Sequence, residues 1–461
     1  MMSTKTRTPL FVRDKSFYKI VFSLALPMTL QNVMQLLLNM MDTVMLGWIE
    51  GSNTETIISA ANLANQPYFV YSLFLFGMVS GASVLIAQYW GKNDTDTINS
   101  VTGIASVAVV AVGGIFTAVC YIFTDEIMGL FTPNPEVVEL GVQYLHIVLA
   151  SYIIASFTTL LCGVMRSTER VGVALFTNST AIIINIVLNY ILIFGKLGFE
   201  PMGIRGAAAA TLIARIIELF MVLAYVIFIE KRVKLRISRM FRIKRTLVKD
   251  FIRYSLPVIC NETFWGLGIT LHSVVIGNLG EMPHAAYSVA NIIERIGLLA
   301  AIGFANATLI IIGKEIGAGR AHNAYPYAKT MLALSVVLGA VMSGVVLLIR
   351  NFAVGMFNVS DDTKSAALNI VLVMMAVILA KSFNTTAIVG VIRGGGDTVT
   401  AMVFDFVPMW AFAIPFGAIM AHVVGLPVWW VYACLMSDEV LKVPFILWRI
   451  KSKKWIRNVT R

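Results

Sequence analysis

EKRVKLRISRMFRIKRTLVKDFIR, residues 230–253, divides this chain into two apolar halves. Ten of the protein's 36 Lys and Arg residues fall within it. Loops rich in Lys and Arg stay on the cytoplasmic side of a membrane. The stretch therefore reads as an internal linker between two membrane-embedded halves. Over all 461 residues, 58% are hydrophobic and 13% charged. A soluble domain carries about 25% charged residues, so this composition implies a polytopic membrane protein. The net charge of +11 collects in loops and tails, which suits an anionic inner leaflet rather than nucleic acid. Cys120, Cys162, Cys260 and Cys434 lie in apolar runs without metal-ligand spacing or a disulfide framework. The basic start, with Lys5 and Arg7, precedes an apolar run too long for a signal-peptide core and reads as a retained first span.

A crossing helix needs about 20 apolar residues. Twelve such runs occur, near 17–46, 55–87, 97–122, 139–164, 171–194, 206–229, 247–278, 285–312, 325–349, 366–391, 398–421 and 428–449. With residues at span ends counted to the loops, 28 of the 36 Lys and Arg fall inside if the amino terminus is cytoplasmic, against four outside. That bias puts both termini in the cytoplasm and leaves Ser52 and Glu281 in outer loops. The expected organisation is an all-α protein of twelve transmembrane helices in two pseudo-symmetric six-helix lobes. The amino-terminal lobe is 1–229, the linker 230–253, the carboxy-terminal lobe 254–450, and 451–461 a basic cytoplasmic tail resting on the inner membrane surface. The halves repeat. Ser23-Leu-Ala-Leu-Pro27 is echoed by Ser255-Leu-Pro257, Ala87-Gln-Tyr-Trp-Gly91 by Gly313-Lys-Glu-Ile-Gly317, and Gly163-Val-Met-Arg166 by Gly390-Val-Ile-Arg393. The order and nearly constant offset imply a parallel repeat, with a substrate cavity between the halves.

Function should then reside in polar groups within the spans. A charge at the bilayer centre costs at least ~2.5–3.5 kcal/mol on insertion scales. In span 1, Asn32, Gln35, Asn39 and Asp42 recur every three or four residues and form one stripe. In span 5, Asn178, Asn185 and Asn189 share a face, and Thr211 adds an oxygen early in span 6. Buried amides also serve as interhelical hydrogen-bond partners; a carboxylate such as Asp42 is harder to explain that way. The second half carries Glu262, Trp265 and His272 in span 7, Glu294 and Arg295 in span 8, Lys381 and Asn384 in span 10 and Asp405 in span 11. Local spacing pairs Arg215 with Glu218 and Lys442 with Glu439, and Glu294 is offered to Arg295 across helices. Glu262, Lys381 and Asp405 have no partner on their own helices; either they meet as a buried network or they line water. Pro257, one turn before Glu262, frees a carbonyl that could add an oxygen ligand.

Pro27 to Gly47, PMTLQNVMQLLLNMMDTVMLG, resembles the first span of the multidrug and toxic compound extrusion (MATE) family. So do Asn185-Ile-Val-Leu-Asn-Tyr-Ile-Leu-Ile-Phe-Gly195 with Gly206-Ala-Ala-Ala-Ala-Thr211, and Arg393-Gly-Gly-Gly-Asp-Thr398. The resemblance covers the whole chain. It implies a secondary active exporter that antiports cationic or amphipathic organic compounds, such as drugs, against Na⁺ or H⁺ by alternating access. It makes Asp42 the first-span carboxylate, Gln35 its companion, Asn185 the fifth-span amide, and Glu262 the seventh-span Glu of the NorM branch. Asn189 stands where the DinF branch has an Asp, and Ser382 where the NorM branch has an acid. Lys381 and Asp405 are the arrangement of this chain or of its subgroup.

The expected coupling set is thus Asp42, Gln35, Asn185, Asn189, Thr211, Glu262 and Asp405, with Na⁺, if it is the ion, at Asp42 or Glu262. Asn39, Asn178, Trp265, His272, Lys381 and Asn384 are the expected cavity residues. A flippase for lipid-linked oligosaccharides is the nearest alternative, but it would need a cationic cavity. No Walker, H-E-x-x-H or G-x-S-x-G motif supports an enzyme. The expectation is a cofactor-free monomer in the plasma (inner) membrane.

Overall fold

The computed structural model describes residues 11–49 and 54–460, except the side chains of Asn39 and Ile237. The expectations for Asn39 and Ser52 lie outside the described residues. The helices are α1 Lys15–Gly47, α2 Thr54–Ala64, α3 Gln66–Gly91, α4 Thr95–Ile122, α5 Thr124–Phe131, α6 Pro135–Ser167, α7 Val171–Phe194, α8 Gly203–Ala224, α9 Ile237–Met240, α10 Arg245–Gly277, α11 Glu281–Gly317, α12 Ala321–Gly355, α13 Asp361–Thr385, α14 Thr398–Val407, α15 Ile414–Ile419, α16 Val428–Leu435 and α17 Ser437–Ser452. Wider π-helical turns follow α8, α13, α14 and α15, at Tyr225–Ile229, Thr386–Arg393, Pro408–Ala413 and Met420–Val424. No strand occurs among the described residues.

Ten helical stretches among the described residues are long and apolar enough to cross a membrane; they correspond to spans 1–6 and 8–11. Span 7 is α10, which is long but carries Arg245, Lys249, Asp250 and Arg253 in its first turns. Span 12 is broken at Met436, between α16 and an α17 that opens with Asp438 and Glu439. Span 2 is also interrupted, at Asn65, whose Nδ2 donates to the Ala61 carbonyl just before Pro67. Helix ends follow their local chemistry. Asp94 accepts from the Thr97 amide at 3.0 Å, and Asn134 precedes Pro135 and accepts from the Glu136 amide. Gly195 closes α7 at φ 65°, where a Cβ would lie 2.5 Å from the Pro201 nitrogen.

The chain forms two compact units: one of residues 30–86 and 94–259, the other of residues up to 29, 87–93 and from 260 onward. In the first, the amino-terminal unit, Gly206 lets α8 pack on the backbone of α7; a Cβ there would come within 2.7 Å of the Leu192 carbonyl. Small residues permit such close helix approach in membranes. The basic stretch is held against α4 of this unit. Asn99 Nδ2 donates to the Val233 carbonyl, and its Oδ1 accepts from the Arg236 amide at 2.7 Å. Phe241 and Arg242 beyond it are exposed.

In the carboxy-terminal unit the π-helical turn ends at Arg393 and runs into Gly394-Gly395-Gly396. These glycines admit the chain end. A Cβ on Gly395 would lie 2.4 Å from the Trp455 ring, and the Arg457 amide donates to the Gly395 carbonyl at 2.8 Å. Trp455 is 0% exposed, and Gln88 Oε1 accepts from the Val459 amide. The expectation that the aromatic of this tail rests on the membrane surface is therefore corrected for Trp455. Its indole is sealed into the unit, and Asp397 binds Arg449 and Arg457 at 2.5 and 3.1 Å. Trp455→Ala should cost about 3–5 kcal/mol, as for other buried large-to-small changes. Thermal melting of the purified protein in detergent checks this; an unchanged midpoint would contradict the burial.

Candidate functional site

The polar stripe of α1 opens on a cavity inside the amino-terminal unit, lined by Gln35, Asp42, Asn65, Tyr68, Tyr144, Asn178, Asn185, Thr211, Arg215 and Glu218 together with smaller and apolar residues. Its volume is about 80 Å³. One water needs about 10–15 Å³ on this measure, so the space suits a hydrated ion or a few waters. Drug-sized pockets are about 300–1,000 Å³, several times larger than this space. Helical spacing brings the amides together. Asn185 and Asn189 are one turn apart on α7, and Asn189 Nδ2 donates to Asn185 Oδ1 at 3.1 Å and to Asp42 Oδ1 at 2.6 Å. Asn185 Nδ2 in turn donates to Thr211 Oγ1 at 3.4 Å. A chain of bonds thus runs from Thr211 to the carboxylate. It leaves Asn189 Oδ1 buried without a donor. Orphaned buried oxygens are costly unless a proton donor or cation meets them.

Five expected site residues, Asp42, Gln35, Asn178, Asn185 and Thr211, line this cavity, and Asn189 braces it through Asp42. Asn65, Tyr68, Tyr144 and Ser151 were not singled out from the sequence. Asn65 and Tyr68 enter because span 2 breaks beside Pro67. The signal was Asn-Gln-Pro inside an apolar run. Tyr68 belongs to an aromatic group with Tyr71, Phe116 and Tyr152, in which Tyr71 and Tyr152 stack at 5.7 Å. Arg215 and Glu218 form the expected pair at 2.9 Å. Their place in the lining was not foreseen.

The carboxy-terminal unit holds a different construction. Lys442, 2% exposed at its side chain, lies 2.7 Å from Asp438, 2.9 Å from Asp405 and 3.4 Å from Glu439. Asp405 also accepts from Asn261 Nδ2 at 3.1 Å. Asn384 Nδ2 donates to the Glu439 carboxylate and carbonyl, both at 2.7 Å. Glu262 meets Arg393 at 2.7 Å. Lys381 pairs with Glu294, which also accepts from the Tyr432 hydroxyl at 3.2 Å. The expectation that Arg295 would serve Glu294 is corrected: Lys381, on another helix, takes that place, while Arg295 is exposed. His272 is buried within electrostatic reach of Lys381 and Lys442, and neither ring nitrogen has a hydrogen-bond partner. Trp265 is 40% exposed and stands apart from these pairs. Glu262, Lys381 and Asp405 thus enter a buried network, each with its own cation or carboxylate, and do not pair with one another. α10 runs unbroken through Pro257 to Glu262.

The comparisons with known proteins agree with this architecture. The family model described as MatE matches residues 27–191 and 257–419, one segment in each half of the chain. A probable multidrug resistance protein NorM of Thermotoga maritima is 24% identical over 443 residues, covering 95% of this chain and 93% of its own. Among solved structures, an outward-facing multidrug resistance MATE family transporter of the MOP superfamily superposes with a TM-score of 0.86 at 20% identity, covering 95% of this chain and 97% of its own. A MOP superfamily transporter from Pyrococcus furiosus, for which a binding pocket of reversed polarity suggests a different function, gives 0.84 at 20% identity with the same coverage. The fold is all-α, with twelve transmembrane helices in two lobes, and the chain belongs to the MatE family of multidrug efflux transporters.

Proposed function

We propose that the protein exports cationic or amphipathic organic compounds by alternating access, in exchange for Na⁺ or H⁺ moving inward, and that the coupling cation binds at Asp42. The observation that carries this reading is the small cavity in which Asp42, Asn185 and Thr211 converge, braced by Asn189. Oxygen donors of this kind suit a hard cation, and the carboxylate alone suits a proton. Gln35 and Asn178 complete the polar wall. Glu262 and Asp405 are the second candidate pair for coupling, but Arg393 and Lys442 already serve them as counter-ions. This favours Asp42 for Na⁺ over Glu262. Trp265, His272, Lys381 and Asn384 are proposed to act on the substrate side when the carboxy-terminal lobe opens. A tenfold ion gradient releases about 1.4 kcal/mol, enough to drive uphill export, and where the exchange moves net charge each 100 mV adds about 2.3 kcal/mol. A lipid-linked oligosaccharide flippase would need cations facing the diphosphate, and the carboxylates facing the cavity argue against it.

The lobes are proposed to be 1–229 and 254–450, joined by the basic linker, in a monomer in the plasma (inner) membrane with both termini cytoplasmic. Orientation is testable by thiol labelling in a cysteine-free background. Cysteine at Glu281 should react with an impermeant reagent only from outside, and cysteine at Ser238 only from inside. Labelling from the opposite sides would overturn the topology. Transport itself is tested by loading proteoliposomes with an organic cation and imposing Na⁺ or H⁺ gradients. Movement that ignores both gradients would reject antiport.

A further inference from the structure

The coupling cavity contains a fixed cation of its own. Arg215 and Glu218 lie one turn apart on α8, and both line the same 80 Å³ space as Asp42. The guanidinium donates to Glu218 Oε2 at 2.9 Å, and its side chain is 19% exposed against 3% for Glu218. Asp42 is bound to Asn189 and forms no ion pair among the described residues. Arg215 and Asp42 nonetheless act on one another electrostatically across the cavity. The titratable groups facing this space are Asp42, Arg215, Glu218, Tyr68 and Tyr144. Arg166 lies near Cys162 and outside the lining. With the tyrosines neutral, two carboxylates and one guanidinium leave one net negative charge. A small buried space does not hold uncompensated charge cheaply. One monovalent cation, or one proton, brings it to neutrality; a second would leave it positive.

We propose that Arg215 is a tethered counter-ion of the coupling site, held away from Asp42 by Glu218, so that the site takes one monovalent cation per transport cycle. This rests on the reading of Asp42 as the coupling site and adds to it the stoichiometry and the residues that set it. Glu218 is then a positioning residue. Without its carboxylate the guanidinium is released toward Asp42 and replaces the external cation. Without Arg215 the cavity carries two unmatched carboxylates and takes two cations. One ion in for one organic monocation out is electroneutral, so export of a monocation should follow the ion gradient and not the membrane potential.

The test uses the full-length protein in proteoliposomes, with ion-to-substrate stoichiometry measured from the ion gradient that just stops net flux against a fixed substrate gradient, at zero and at an imposed membrane potential. Na⁺- and pH-dependent thermal stabilisation of the same purified samples is measured in parallel. The wild type should show one ion per monocation. Arg215→Gln should show two, and Arg215→Lys, which keeps the charge, should show one. Glu218→Gln should weaken the ion response at least about tenfold, the 1.4 kcal/mol step in affinity. The double variant Arg215→Gln/Glu218→Gln should restore one ion per cycle with a wild-type response. A purely structural ion pair predicts lower melting points for the single variants with stoichiometry and ion response unchanged; that result overturns the proposal. One ion per cycle in Arg215→Gln overturns it even if Glu218→Gln does not fold. Asp42→Asn serves as the control for the underlying reading. If its ion response is lost while the Arg215 and Glu218 variants behave as wild type, the counter-ion proposal fails and the Asp42 site stands. If Asp42→Asn keeps its ion response, the site assignment itself fails.

Discussion

Asp42→Asn is expected to leave a folded protein that no longer couples transport to an ion gradient. The substitution is isosteric, and the new amide can still accept from Asn189, which donates to Asp42 at 2.6 Å. What disappears is the negative charge, together with the charge-assisted part of every interaction at the site. Hydrogen bonds to charged groups contribute about 1.5–3 kcal/mol each, so ion affinity should fall about 10–100-fold. Melting should change little, because the cavity is polar and already holds room for water. Equal fold stability with lost ion response would separate a coupling role from packing. Gradient-driven export at the wild-type rate by this variant would reduce the α1 stripe to interhelical hydrogen bonding.

Lys442→Met should have the largest effect on stability. The ammonium lies among Asp405, Asp438 and Glu439 at 2.7–3.4 Å and is nearly inaccessible. Removing it leaves three buried carboxylates with no cation at their centre. Breaking a buried ion pair by deleting one partner costs about 3–5 kcal/mol, and here three acids lose the same partner. The melting temperature should fall steeply and the yield of folded protein with it. Adding Asp405→Asn should recover part of the loss, because one unmatched charge is removed and Asn261 can still bond to the amide. Melting of the purified variants checks both statements. A wild-type midpoint for Lys442→Met would show that this network is solvated and not structural.

The two sites differ in how far the sequence disclosed them. Along one helix, periodicity is enough. The three- and four-residue steps from Asn32 to Asp42 give one stripe, and the one-turn step from Asn185 to Asn189 is a hydrogen bond in the structure. Both the carboxylate and its amide support were therefore legible. Between helices there is no such rule. Glu294 and Lys381 are 87 residues apart, and no spacing rule chose Lys381 over Arg295 as its partner. Arg393 reaches Glu262 only because a π-helical turn and three glycines end that helix inside the protein. The burial of Trp455 depends on Gly395, a contact that a basic, aromatic tail does not announce. Arg215 and Glu218 were legible as a pair but not as cavity walls, since the face they share with Asp42 is set by how α8 packs on α7.

The account turns on whether export is driven by a cation bound at Asp42. The most direct measurement is uptake of a labelled organic cation into inverted vesicles under imposed Na⁺ and H⁺ gradients, with wild type and Asp42→Asn side by side. The account predicts accumulation by the wild type under one of the two gradients, collapse when that gradient is dissipated, and none by Asp42→Asn. Equal gradient-dependent accumulation by both proteins would contradict it.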